Sequence, residues 1–106
     1  MILYLILDIE QLRTKYLTLV NQELPAQAKQ RDFPVRFNHC FARIILDNLF
    51  NRCWYEVIDR KRGAAYQQLS AEQLKQAIEI AEAIIHRPDS YIDQLNRNSL
   101  RWRNKI

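Results

Sequence analysis

The chain is predicted to be all-α, a compact bundle of about four helices around one buried central helix. Three observations carry this. There is one glycine and there are three prolines in 106 residues, whereas tight hairpins and phosphate-cradling loops need glycine at positive φ. Apolar residues recur at helical spacing through most of the chain. Ser70 and Gln73 spell S-x-x-Q, a capping box that starts a helix. The hydrophobic share of 48% is globular and argues against disorder. The length suits one domain, taken as residues 1–106.

The first helix is read over residues 1–23, with Ile2, Leu5, Ile9, Leu12, Tyr16, Leu19 and Val20 on one face. Asp8 offers an alternative start, capping a helix from Ile9 and leaving Met1–Leu7 extended. Pro25 and the polar stretch Gln27–Asp32 make a linker. The second helix spans Arg36–Trp54, with Asp32 placed to cap it and Pro34 just inside its start. Phe37, Phe41, Ile44, Ile45, Leu46, Leu49, Phe50 and Cys53 cover most of its circumference, so it is predicted to be the buried centre. Trp54–Ile58 either finishes that helix or forms a short strand, and Asp59–Gly63 is a turn. The third helix follows Ser70, with Leu74, Ala77, Ile78, Ala81, Ile84 and Ile85 as its apolar stripe, and Pro88 stops it. Asp89 then caps a short fourth helix with Tyr91, Ile92 and Leu95 inward. Residues 97–106 are a tail.

Cys40 and Cys53 lie thirteen residues apart, roughly 20 Å along one helix, which is too far for a disulfide. Free thiols suit a reducing cytosol, so the expected compartment is cytoplasmic. The apolar N-terminal run lacks the features of a signal peptide, and no run approaches the ~20 residues of a membrane span. The net charge of +4 is uneven: residues 1–96 hold twelve basic and twelve acidic side chains, while the last ten hold four basic ones and no acid.

One polar stripe interrupts the central helix. Arg36, His39, Arg43 and Asp47 fall along one line with Trp54. Charged groups in a small core are costly unless paired, so this stripe is the candidate site. Its arginines could clamp a phosphate or carboxylate, and His39 could act as a proton donor or acceptor. The simpler reading is that Arg43 and Asp47, four apart, pair with each other and His39 bonds a backbone carbonyl. Cys40 beside His39 points about 100° away on a helix, so the two are no nucleophile–base pair. With two histidines and no C-x-x-C, no metal site is predicted. His86 is a favourable charge near a helix C-terminus. In the tail, Arg97, Arg101, Trp102, Arg103 and Lys105 interleave cations with an aromatic, a weak nucleic-acid signal.

The runs VRFNHCFARIILDNLFNRCWY, AAYQQLSAEQLKQAIEIAEAII and NSLRWR, which fall between Leu12 and Arg103, resemble a group of short bacterial proteins of the cyanobacterial type. Some of that group look to be labelled GCN5-related N-acetyltransferase-like. The resemblance implies acetyl-CoA as cofactor and acyl transfer to an amine. It implies a pyrophosphate-binding loop at Arg60–Ala65, through Arg60, Arg62, Gly63 and Ala65, with Tyr55–Ile58 as the strand before it. The leading expectation from the residues themselves is different. It is a non-catalytic binding or adaptor domain without a cofactor, engaging a protein partner or a second copy of itself.

Overall fold

Asp8 starts the first helix in the computed structural model, which describes residues 7–105. Its carboxylate accepts from the Gln11 N–H, and the Gln11 side chain accepts from the Asp8 N–H. This reciprocal box fixes the start at Ile9, so the alternative start is the one observed. The part of the longer helix predicted over 1–6 lies outside the described residues.

The helix does not stop at Pro25. Helix α1 (Ile9–Thr18) runs through a π-helical turn, Leu19–Glu23, into α2 (Leu24–Ala28) as one continuous rod. Proline inside a helix lacks an N–H and clashes with the carbonyl four residues back. Here Pro25 falls in the first turn of α2, and the wider π turn precedes it. Burial of Leu24 and Ala28 explains why the rod continues. The linker therefore shifts to residues 29–37.

Helix α3 (Asn38–Phe50) is shorter than predicted at both ends. Phe37 occupies its N-cap without a side-chain hydrogen bond, and Pro34 lies outside it. Asp32 caps nothing; its N–H instead donates to Asp89. At the other end Asn51 adopts φ 57°, the left-handed conformation that ends many helices. Its N–H and that of Arg52 both return to the Asp47 carbonyl. Trp54–Glu56 is a 3-10 turn, neither helix end nor strand, and Arg60–Arg62 and Ala65–Gln68 are two more.

Helix α4 (Ala71–His86) begins at the predicted Ser70–Gln73 box. Pro88 ends the gap after it, and α5 (Asp89–Trp102) begins at once. Asp89 is the first helical residue rather than the cap. Its carboxylate holds Arg31, whose other nitrogens donate to the Ile85 and Arg87 carbonyls at the end of α4. Arg31 thus ties the 29–37 segment to the α4–α5 corner and places a cation at a helix C-terminus. Most of the predicted tail is the second half of α5.

The bundle is all-α, with no strand among the described residues. Helix α3 touches the rod, α4 and α5, while α1 also packs along α4. Phe41, Ile44, Ile45 and Leu46 of α3 are fully buried with Leu12, Leu24, Leu74 and Ile78. Each such side chain contributes about 1.5–3 kcal/mol relative to exposure. No helix in the described residues is long and apolar enough to cross a membrane.

Candidate functional site

The stripe on α3 divides into two environments. Asp47 is fully buried and accepts four hydrogen bonds. Its Oδ1 takes the Trp54 N–H at 2.8 Å and Arg103 Nη2 at 3.1 Å. Its Oδ2 takes the Ser99 hydroxyl at 2.6 Å and Arg103 Nε at 2.7 Å. Arg43 does not pair with Asp47 directly. It donates to Ser99 Oγ at 2.7 Å and to Asn96 Oδ1 at 2.9 Å. Ser99 therefore relays between the two, accepting from Arg43 and donating to Asp47.

The ionic partner of Asp47 is Arg103, a residue the sequence assigned to the tail. Their fork is bidentate, the strong form of such a pair. The hydrogen bond to Asp47 holds the Arg103 guanidinium above its ordinary pKa, against the opposing effect of burial. Burial pulls Arg43 below its ordinary value, and the nearby Arg103 charge adds to the effect. The seam continues sideways: Asn98 donates to Asn48, which donates to the Ile44 and Leu95 carbonyls. So the α3–α5 interface is a connected polar layer in which Arg43 and Asp47 are occupied by neighbours. Trp54, held through its N–H, is fixed where the chain turns after α3.

His39 and Trp54 face elsewhere. They line a cleft of about 220 Å³ between the π turn and α3, with Tyr16, Leu17, Val20, Asn21, Asn38, Ala42, Leu46, Ala65 and Tyr66. The walls are mainly apolar. The polar groups are few: Asn38 donates to Asn21 at 3.1 Å, and the Tyr16 hydroxyl has no hydrogen-bond partner among the described residues, although Tyr16 is buried. Burial pushes the Tyr16 pKa well above its ordinary value. Two aromatic pairs flank the cleft. Phe37, 64% exposed, stacks on His39 at 5.9 Å, and Tyr55 meets Trp54 edge-on at 4.7 Å.

Arg36 belongs to neither region; it donates to the Ala28 carbonyl at 3.2 Å. The structure therefore does not gather Arg36, His39, Arg43, Asp47 and Trp54 into one site. It groups Arg43 with Asp47 and His39 with Trp54. Missing from the predicted stripe were Ser99, Arg103, Tyr16 and Tyr55. Ser99 and Arg103 were findable, since they extend the Leu95 position of α5 by steps of four. The cleft was not, because it depends on the π turn.

The loop predicted to cradle a pyrophosphate has a different geometry. Tyr55–Ile58 is not a strand, and no long helix begins at Gly63; a four-residue 3-10 turn follows, and α4 starts only at Ala71. The Arg62 N–H is already given to the Asp59 carbonyl and the Gln67 N–H to the Ala64 carbonyl. Gly63, at φ 120°, simply turns the chain. Arg62 borders a mainly polar hollow of about 480 Å³ with Val57, Ile58, Gln67 and Gln68, whereas Arg60 lies over Tyr55. These residues do not form the strand–loop–helix arrangement that the resemblance implies. Of the predicted tail set, Arg97, Arg101 and Trp102 are in α5, Arg103 is its C-cap and serves Asp47, and Lys105 follows.

No protein-family model, curated protein or solved structure matches this chain.

Proposed function

We propose that the chain is a non-catalytic binding domain for a protein partner, and that the cleft receives one large side chain of that partner. The observation that carries this is the cleft itself, an apolar slot flanked by the exposed aromatics Phe37 and Tyr55. Interface centres are rich in aromatics and close on anchors of this kind. At about 220 Å³ the cleft is below the ~300–1,000 Å³ of small-molecule sites, and of a size for one side chain. Tyr16, Asn21, Asn38 and His39 give such an anchor polar contacts in a mainly apolar wall, so a tyrosine fits best: an apolar ring with a hydroxyl at its end. The occupied state of Arg43 and Asp47 supports placing binding here rather than along the whole stripe.

The test is amide and indole chemical-shift mapping of the labelled protein with N-acetyltyrosinamide. Shifts are expected at Val20, Asn21, Ala42 and the Trp54 indole, and are expected to vanish in Ala42→Leu, which fills the cleft. Shifts centred on α5, or unaffected by Ala42→Leu, would overturn the assignment.

A further inference from the structure

Trp54 connects the cleft to a second feature. Tyr55, 44% exposed, packs against it and carries two guanidiniums over its own ring. Arg60 lies 3.7 Å and Arg103 lies 4.6 Å from the ring centroid, both within the ~6 Å range of cation–π attraction. The two arginines differ. Arg103 is locked by Asp47 and forms a fixed wall. Arg60 makes no hydrogen bond or ion pair among the described residues. It is held only by the ring, with its guanidinium donors available.

The charge here is not balanced. Arg103 is paired with Asp47, while Arg43 donates to neutral groups and Arg60 has no ion pair among the described residues, a formal excess of two positive charges over these four side chains. The neighbouring acids do not correct it. Asp59 turns its carboxylate to the Lys61 N–H, and over residues 52–62 Glu56 and Asp59 are outnumbered by Arg52, Arg60, Lys61 and Arg62. An exposed aromatic backed by uncompensated guanidiniums attracts carboxylates, which arginine can take in bidentate form.

We infer that the partner segment is acidic, with its anchor side chain in the cleft and flanking carboxylates on Arg60 beside Tyr55. This rests on the cleft reading above and adds the chemistry of what surrounds the anchor. A nucleic-acid strand fits less well. The apolar cleft would leave the polar edges of a base unpaired. The cations also cluster on one ring instead of tracking a backbone along a groove. Arg103, the tail residue nearest to such a role, is already committed to Asp47.

The test uses the full chain and three immobilised polymers: a random copolymer of glutamate and tyrosine, polyglutamate, and oligothymidylate. The copolymer is expected to bind more tightly than polyglutamate, and both are expected to weaken as salt rises. Arg60→Gln should weaken both acidic polymers by about three- to fivefold, the scale of one exposed charge pair. Ala42→Leu should bring the copolymer down to the level of polyglutamate. The two readings fail separately. Binding of the copolymer that is indifferent to salt and to Arg60→Gln overturns the acidic partner and leaves the cleft standing. Equal binding of copolymer and polyglutamate, unchanged by Ala42→Leu, overturns the cleft. Tighter binding of oligothymidylate than of the copolymer, or no binding of either acidic polymer, overturns the acidic-peptide proposal.

Discussion

Helix α3 presents polar groups to two neighbours and treats them in opposite ways. Toward α5, Arg43 and Asp47 meet Ser99, Asn96 and Arg103, and every carboxylate oxygen is engaged twice. Toward the π turn, His39 and Trp54 border a cleft, where the Tyr16 hydroxyl lacks a partner among the described residues. A buried polar group with its hydrogen bonds made is architecture. One left open at an accessible wall has bonding capacity for something else. The lesson is that a charged stripe in a core helix does not locate a site; the state of its hydrogen bonds does.

The largest effect is expected at the buried end. Asp47→Ala leaves Arg103 without its ion partner and the Trp54 N–H and Ser99 hydroxyl without their acceptor. Breaking a buried pair this way costs about 3–5 kcal/mol, read from urea unfolding. A loss below about 1 kcal/mol would erase the distinction between the two regions. Arg43→Met should cost less, about 1–2 kcal/mol, because its acceptors are neutral and hydrogen bonds of this kind are individually modest.

Alkaline pH sharpens the comparison from the cleft side. Burial raises the folded-state pKa of Tyr16 above its ordinary value of 10.0. The folded chain then holds a proton that the unfolded chain releases, so this contribution is intact below pH 10.0 and is lost as pH rises above it. The expected slope is about 1.4 kcal/mol per pH unit. Tyr16→Phe should flatten it while changing stability at neutral pH little, since it removes no hydrogen bond within the described chain. An unchanged alkaline slope in that variant would remove Tyr16 from the account. The smallest effect on stability is expected for Arg60→Gln, within about 0.5 kcal/mol, as for surface changes that break no bond.

Local signals read well in the sequence. The Ser70–Gln73 box and the apolar stripe of α4 are set by near neighbours, and so is the burial of Phe41, Ile44, Ile45 and Leu46 in α3. What failed depended on distant or unusual geometry. Pro25 reads as a break unless a π turn precedes it, and no periodicity announces that turn. Asp32 and Asp89 both look like caps, yet Asp89 is used by Arg31 and the Asp32 N–H, a contact across more than fifty residues. Arg43 and Asp47 look paired because they are four apart. A longer reach from α5 supplies Arg103 instead, with Ser99 small enough to sit buried between the helices. The half of the stripe that proved structural could be found by continuing the α5 face past Leu95. The half proposed to bind could not, because His39 and Trp54 line a cleft only where the π turn of the rod lies opposite them.

The most direct test is one variant measured two ways. Ala42→Leu, on the cleft wall and away from the Asp47 network, is compared with the unaltered chain in thermal unfolding and in affinity for N-acetyltyrosinamide. The account predicts an unfolding midpoint close to that of the unaltered chain together with loss of binding. Unfolding unchanged and binding retained would contradict it, because the cleft would then be a packing gap and not a binding site.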